Sequence, residues 1–211
     1  LDGKPVRTPG GHPMLLPTSA LAENIAEEWA DQGEEIDPRS MPMTRLANTV
    51  QDGVAHTRNE VIGAVLRFGE HELLCYRAPE PPALAARQAE AWDPLLEWLT
   101  RRFGVRLEVA MGLGPLTPSP EALARLRTAI GAQDDYALAA LHVIASITGS
   151  LVLALALVDD AITPGQAFQL SRIDEDFQAE RWGEDVEAAA RTRALAREMN
   201  VATAFLAAAR D

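Results

Sequence analysis

The chain has 211 residues but only one cysteine, Cys75, and one lysine, Lys4. A single thiol cannot close an internal disulfide, so the composition fits a reducing compartment. Cys75 lies in the apolar run "LLCY" and reads as a small core residue rather than a nucleophile. Positive charge is scarce as well. The net charge is -12 and the pI about 4.8, which excludes nonspecific attraction to nucleic acid or to an anionic membrane and leaves a basic partner open. Arginine supplies almost all the cations and alanine is abundant, as in a GC-rich bacterial genome, and a cytoplasmic location is expected.

Several signatures of chemistry are also missing. The sequence contains no Gly-x-Ser-x-Gly, no phosphate loop and no dinucleotide Gly-rich turn. "GLGPL" at 112–116 is no phosphate cradle, because Pro115 removes a donor. No Glu-x-x-His pair exists, so a carboxylate-bridged two-metal bundle lacks its ligands. The opening "LDGKPVRTPGG" has no apolar stretch of the kind a secretory signal needs. Repeats and low-complexity tracts are absent. No catalysis, metal or cofactor is expected.

What is present is a folding composition, 47% hydrophobic and 24% charged. Residues 1–17 read as extended chain, with Gly10-Gly11 as a hairpin turn and prolines confining it to short or edge strands. Leu21, Ile25 and Trp29 share one helical face after a Thr18 or Ser19 cap. Thr44 to Asn48 and Val54 to Phe68 give further helical patterns. "YRAPEPPA" at 76–83 is the best linker. These signals predict an α+β chain. A small N-terminal α/β domain with short antiparallel strands spans 1–80, and a mainly α-helical domain spans 81–211. In the second part, Pro94 kinks or restarts a helix with Asp93 as its cap, and Val105 to Val109 forms one short strand.

Residues 137–158 carry no formal charge and are long enough to span a bilayer. Their flanks are Asp134, Asp135, Asp159 and Asp160, with no adjacent basic residue. They are therefore expected to form one central helix, buried nearly all round, and no membrane insertion is expected.

The most unusual stretch is "SRIDEDFQAERWGED" at 171–185. It holds Asp174, Glu175, Asp176, Glu180, Glu184 and Asp185 around Phe177 and Trp182. A calcium loop fails here: Ala179 occupies the sixth position, where Gly is needed, and Asp185 the twelfth, where Glu is needed. Thr163-Pro164-Gly165-Gln166 is a capping box and predicts a helix through the stretch. On a helix Asp174 and Asp176 point about 200° apart and cannot converge on one ion. Leu170, Ile173 and Phe177 form the buried stripe, and Arg172 and Arg181 partly offset the acids. A carboxylate-based hydrolase could recruit two of these acids across a cleft, but nothing in the sequence supplies its second half; a generic acidic protein-binding adaptor is the other alternative to a specific role. Two surface readings stand beside these on the residues alone. One is a solvated helix face. The other is a partner surface in which Trp182 is a hot spot for an Arg-bearing partner, unless it packs on a neighbouring domain.

The chain as a whole resembles the assembly chaperones that handle the alpha subunit of F-type ATP synthase. The carrying motifs, in order, are "LDGKPVRTP" at 1–9, "MPMTRLANT" at 41–49, "LLCYRA" at 73–78, "RQAEAWDPLLEWL" at 87–99, "GSLVLALAL" at 149–157 and "DEDFQAERWGED" at 174–185. Phe177 stands where a larger aromatic is common, and a strand that usually precedes Leu1 is absent. The resemblance implies a small α/β domain followed by a helical one. It implies a protein that holds unassembled alpha subunit until the beta subunit replaces it, without catalysis and as a monomer. It carries the functional region onto the acidic motif. The partner-binding residues expected are Arg172, Asp174, Glu175, Asp176, Glu180, Trp182, Glu184 and Asp185.

Overall fold

The computed structural model describes residues 5–112, 114, 116–183 and 185–211. Ten α-helices dominate these residues. Helix α1 (Ser19–Ala30) starts at Thr18, whose hydroxyl accepts from the Leu21 N–H and also donates to the Ala208 carbonyl. Its Leu21 and Ile25 are buried. Helix α2 (Pro42–Thr49) has no side-chain cap of its own. Instead Glu28 of α1 accepts from the Met43 and Thr44 amides at 2.7 and 2.8 Å and from the Thr44 hydroxyl at 2.7 Å. A carboxylate there meets the positive end of the helix and fixes α1 to α2. A π turn (Val50–Val54) then leads into α3 (Ala55–Glu70).

Residues 5–18 fold back at Gly10 and Gly11, as expected, but among the described residues they form no antiparallel sheet. Among the described residues only Arg7 and Pro13 make an antiparallel bridge. Pro5, Pro9, Pro13 and Pro17 remove the donors a ladder would need. The turn is held instead by Asp52 of the π turn, which accepts from Thr8, Gly10 and His12 at 2.6 to 2.8 Å. The His12 and Thr8 hydrogen bonds lower its carboxyl to about 2. The two strands, β1 (Tyr76–Arg77) and β2 (Ala110–Met111), pair in parallel, with Tyr76 opposite Ala110. The predicted short antiparallel strands are thus corrected to one two-residue parallel pair, and the strand expected at 105–109 forms just beyond it.

Helix α4 (Pro82–Phe103) runs unbroken through Pro94 and ends at Gly104, whose φ of +66° suits glycine. Asp93 does not cap a restarted helix; it pairs with Arg77, whose guanidinium also lies over Trp92. Helix α5 (Pro120–Gly131) is capped by Ser119 and α6 (Asp135–Thr148) by Asp134. The long apolar run is not one helix. Gly149 adopts a left-handed φ of +66°, and Ser150 caps α7 (Leu151–Val158), all of which is buried.

The expected capping box at Thr163 and Gln166 is present and opens α8 (Pro164–Leu170). That helix stops early. Arg172, at φ -120° and ψ 17°, separates it from α9 (Ile173–Trp182), so the acidic stretch has its own helix. Helix α10 (Val186–Arg210) closes the fold on α6 and α1. One apolar cluster joins Leu21 and Ile25 to Trp92, Leu138, Leu153 and Phe205, so the core crosses residue 80.

Between β1 and α7 lies a buried carboxyl. Glu72 accepts from the Leu74, Leu151 and Val152 amides and from the Ser150 hydroxyl. Burial outweighs these donors and raises its pKa to about 7. Burial likewise pushes the nearby Cys75 thiol up to about 12, which makes it a core group and not a nucleophile.

Candidate functional site

Helix α9 places its acids by ordinary helical geometry, and neighbouring elements give most of them separate tasks. Asp174 faces α4. Gln88, only 1% exposed, donates from Nε2 to Asp174 Oδ1 at 2.6 Å and accepts the Ala78 N–H on Oε1 at 2.7 Å. One residue earlier, Arg87 holds both oxygens of Glu180 at 2.8 and 2.9 Å. Trp92, one turn further along α4, donates to the Leu170 carbonyl at 2.8 Å. Adjacent turns of α4 therefore grip α9 at its start, its end and the turn before it.

Arg172 sits between α8 and α9. Its guanidinium lies over Phe168 and 3.9 Å from Glu175, while its buried Nε has no partner among the described residues. Arg172, Asp174 and Glu175 together line a cleft of about 350 Å³. Leu73, Trp92, Phe168 and Leu195 supply its apolar walls. This arrangement can receive a side chain with an apolar stem and a charged head. The cleft exists because the α6–α7 break and the α8–α9 turn meet there, with Thr148, Gly149 and Ser171 on its rim.

The other expected site residues are not in this cleft. Asp176 is half-buried and makes no hydrogen bond or ion pair with the described residues. Glu180 is occupied by Arg87. Asp185 caps α10 by accepting from the Ala188 N–H at 2.8 Å, a structural task. Glu184 lies outside the described residues. Trp182 is 77% exposed at the end of α9, and Val186 is similarly exposed at the start of α10. Phe177, half-buried, instead meets the Arg181 guanidinium at 4.5 Å. Among the described residues no group of three or more His, Cys, Asp or Glu is placed to hold a metal ion.

Sequence reasoning did not find Gln88 or Glu72. Glu72 carried a signal, a lone carboxyl in "HELLCY". Gln88 carried none, because its partner lies 86 residues away.

The whole chain superposes on the crystal structure of Atp12 from Paracoccus denitrificans with a TM-score of 0.94 and 42% identity, covering 98% of this chain and 89% of that one. This chain belongs to the ATP12 chaperone family. The family model, described as ATP12 chaperone protein, matches residues 1–100. The cleft acids of α9 lie beyond that segment but inside the length shared with the Paracoccus ATP12 structure. A protein from Agrobacterium tumefaciens is also 42% identical, with a TM-score of 0.92 over 99% of this chain and 78% of its own. Protein atp12, mitochondrial, of Schizosaccharomyces pombe is 24% identical over 195 residues, 87% of this chain and 67% of that protein. ATP12 membership identifies the chain as a chaperone. Among the described residues no helix is long and apolar enough to cross a membrane.

Proposed function

We propose that this chain is an assembly chaperone of F-type ATP synthase that binds the unassembled alpha subunit, suppresses its aggregation and yields it to the beta subunit. The observation that carries this reading is the 42% identity to Paracoccus Atp12 along nearly the full chain. In this reading the protein works by binding, without catalysis, as a cytoplasmic monomer. Residues 1–80 buttress the fold and 81–211 carry the client surface.

The acidic helix supports a binding role physically. Unassembled alpha subunit exposes apolar surface that beta will later cover, and a chaperone must shield it yet leave. Asp174 and Glu175 at the cleft, with exposed Trp182 beyond, suit an Arg-bearing client. Such charge complementarity speeds and orients association with modest net affinity, which favours release.

The test is light scattering of alpha subunit diluted from denaturant, with and without an equimolar amount of this protein. Beta subunit serves as the control client. Suppression for alpha but not beta is expected. Equal suppression of both would indicate a generic acidic adaptor, and suppression of neither would remove the chaperone reading. Replacing Asp174, Glu175 and Asp176 by Asn should slow association with alpha at low salt, measured by stopped flow. An unchanged rate would sink the electrostatic part.

A further inference from the structure

We propose that Gln88 is a positioning residue for the client surface, acting through Asp174. The proposal rests on the reading of α9 as that surface. Gln88 is fully enclosed and uses both ends of its amide. Its oxygen takes the Ala78 N–H, next to β1, and its Nε2 donates to Asp174 Oδ1. Those two bonds fix which end is which, since the Ala78 amide can only donate and the Asp174 carboxylate can only accept. The Asp174 side chain is therefore tied to α4 through a buried, unambiguous donor. Oδ2 accepts no hydrogen bond from the described residues, while Asp174 lines the cleft. The arrangement holds one oxygen and leaves the other for a partner.

Arg87 repeats the device on the exposed side. It takes both oxygens of Glu180, so consecutive α4 residues clamp acids six positions apart on α9. A long side chain free to rotate loses entropy when a partner captures it, and one already fixed loses less. The clamp thus pre-orders the acidic face before the client arrives. It also explains why a helix with three acids in its first turn lies on a core instead of swinging out: Ile173 is its only buried residue, so polar ties to α4 complete its anchoring.

The decisive variant is Gln88→Glu. It keeps an oxygen for the Ala78 amide, removes the donor and sets a second carboxylate against Asp174. In the free protein, amide hydrogen exchange across α9 should rise at least threefold, with α1, α3 and α6 unchanged. Association with purified alpha subunit should slow by roughly fivefold. In an Asp174→Asn background, where the Asn amide can donate back to Glu at 88, the Gln88→Glu effect on both readouts should fall below about twofold. Arg87→Gln, at a solvent-exposed pair, should raise exchange at the C-terminal end of α9. Unchanged α9 exchange in both variants overturns the proposal. So does an equal loss of association with and without Asp174, which would mean that Gln88 acts on the fold at large. If wild-type protein fails to bind alpha subunit, the function reading falls, and the exchange measurements alone then decide the positioning role.

Discussion

Replacing Glu72 by Gln should remove a specific part of the pH dependence of stability. The Glu72 carboxyl is completely buried, and its pKa rises from 4.5 to about 7, chiefly through burial. A carboxyl whose pKa is raised on folding holds its proton more tightly in the folded state. Its stabilising contribution is complete below the unfolded pKa and is lost as pH rises through the folded one. With those two values, the wild-type protein loses roughly 2.5 kcal/mol between pH 5 and pH 8 from this group alone. The Gln variant cannot titrate and escapes that loss, whatever constant cost it carries for presenting an amide to four donors. The assay is urea unfolding of both proteins at pH 5 and pH 8, followed by far-UV circular dichroism. The difference in unfolding free energy between them should shift by roughly 2.5 kcal/mol in favour of the variant as pH rises. Parallel pH profiles, within about 0.5 kcal/mol, would refute the reasoning and mean that the four donors hold Glu72 ionised throughout.

Gly69→Ala should destabilise by about 1–3 kcal/mol, read as a fall in the thermal midpoint. The added methyl would stand 2.8 Å from Leu151 Cδ2 and 3.2 Å from Leu126 Cδ1, both in the core where α3 meets α5 and α7. Trp182→Ala should leave unfolding free energy within about 0.5 kcal/mol, since the ring is mostly in solvent. It should weaken alpha-subunit binding about tenfold or more in a titration, as loss of an aromatic anchor does. Gly10→Ala would bring its Cβ to 2.6 Å from Asp52 Oδ1. It should release the N-terminal turn, seen as faster hydrogen exchange at the amides of residues 8 and 12, with the core amides unaffected.

Much of the fold was legible because its signals are local. Thr18 and the Thr163–Gln166 box mark helix starts within a few residues of what they cap. The misreadings were non-local. Gly149 in an apolar run reads as a tolerated helical glycine until Ser150 is seen capping α7 against Glu72, 78 residues earlier in the chain. Proline-rich residues 5–17 fold back as expected but are held by the Asp52 side chain, which no strand pattern announces. The acidic stretch was legible as an acid-rich helix, but not in how its acids are held. Its composition shows six carboxylates. Only the structure assigns Asp174, Glu175, Glu180 and Asp185 among an α4 clamp, a cleft and a helix cap, because Arg87 and Gln88 approach from far along the sequence.

The left-handed turn at Gly149 also bears on the fate of the nascent chain. Residues 137–158 would form a rod of about 33 Å if they were continuous helix, enough to bridge the roughly 30 Å hydrocarbon layer of a bilayer. Divided at Gly149 into 12 residues of α6, 137–148, and the eight of α7, the same sequence gives rods of about 18 and 12 Å, and neither bridges it. A single backbone reversal thus turns a segment long enough to span a bilayer into two helices that are each too short to do so.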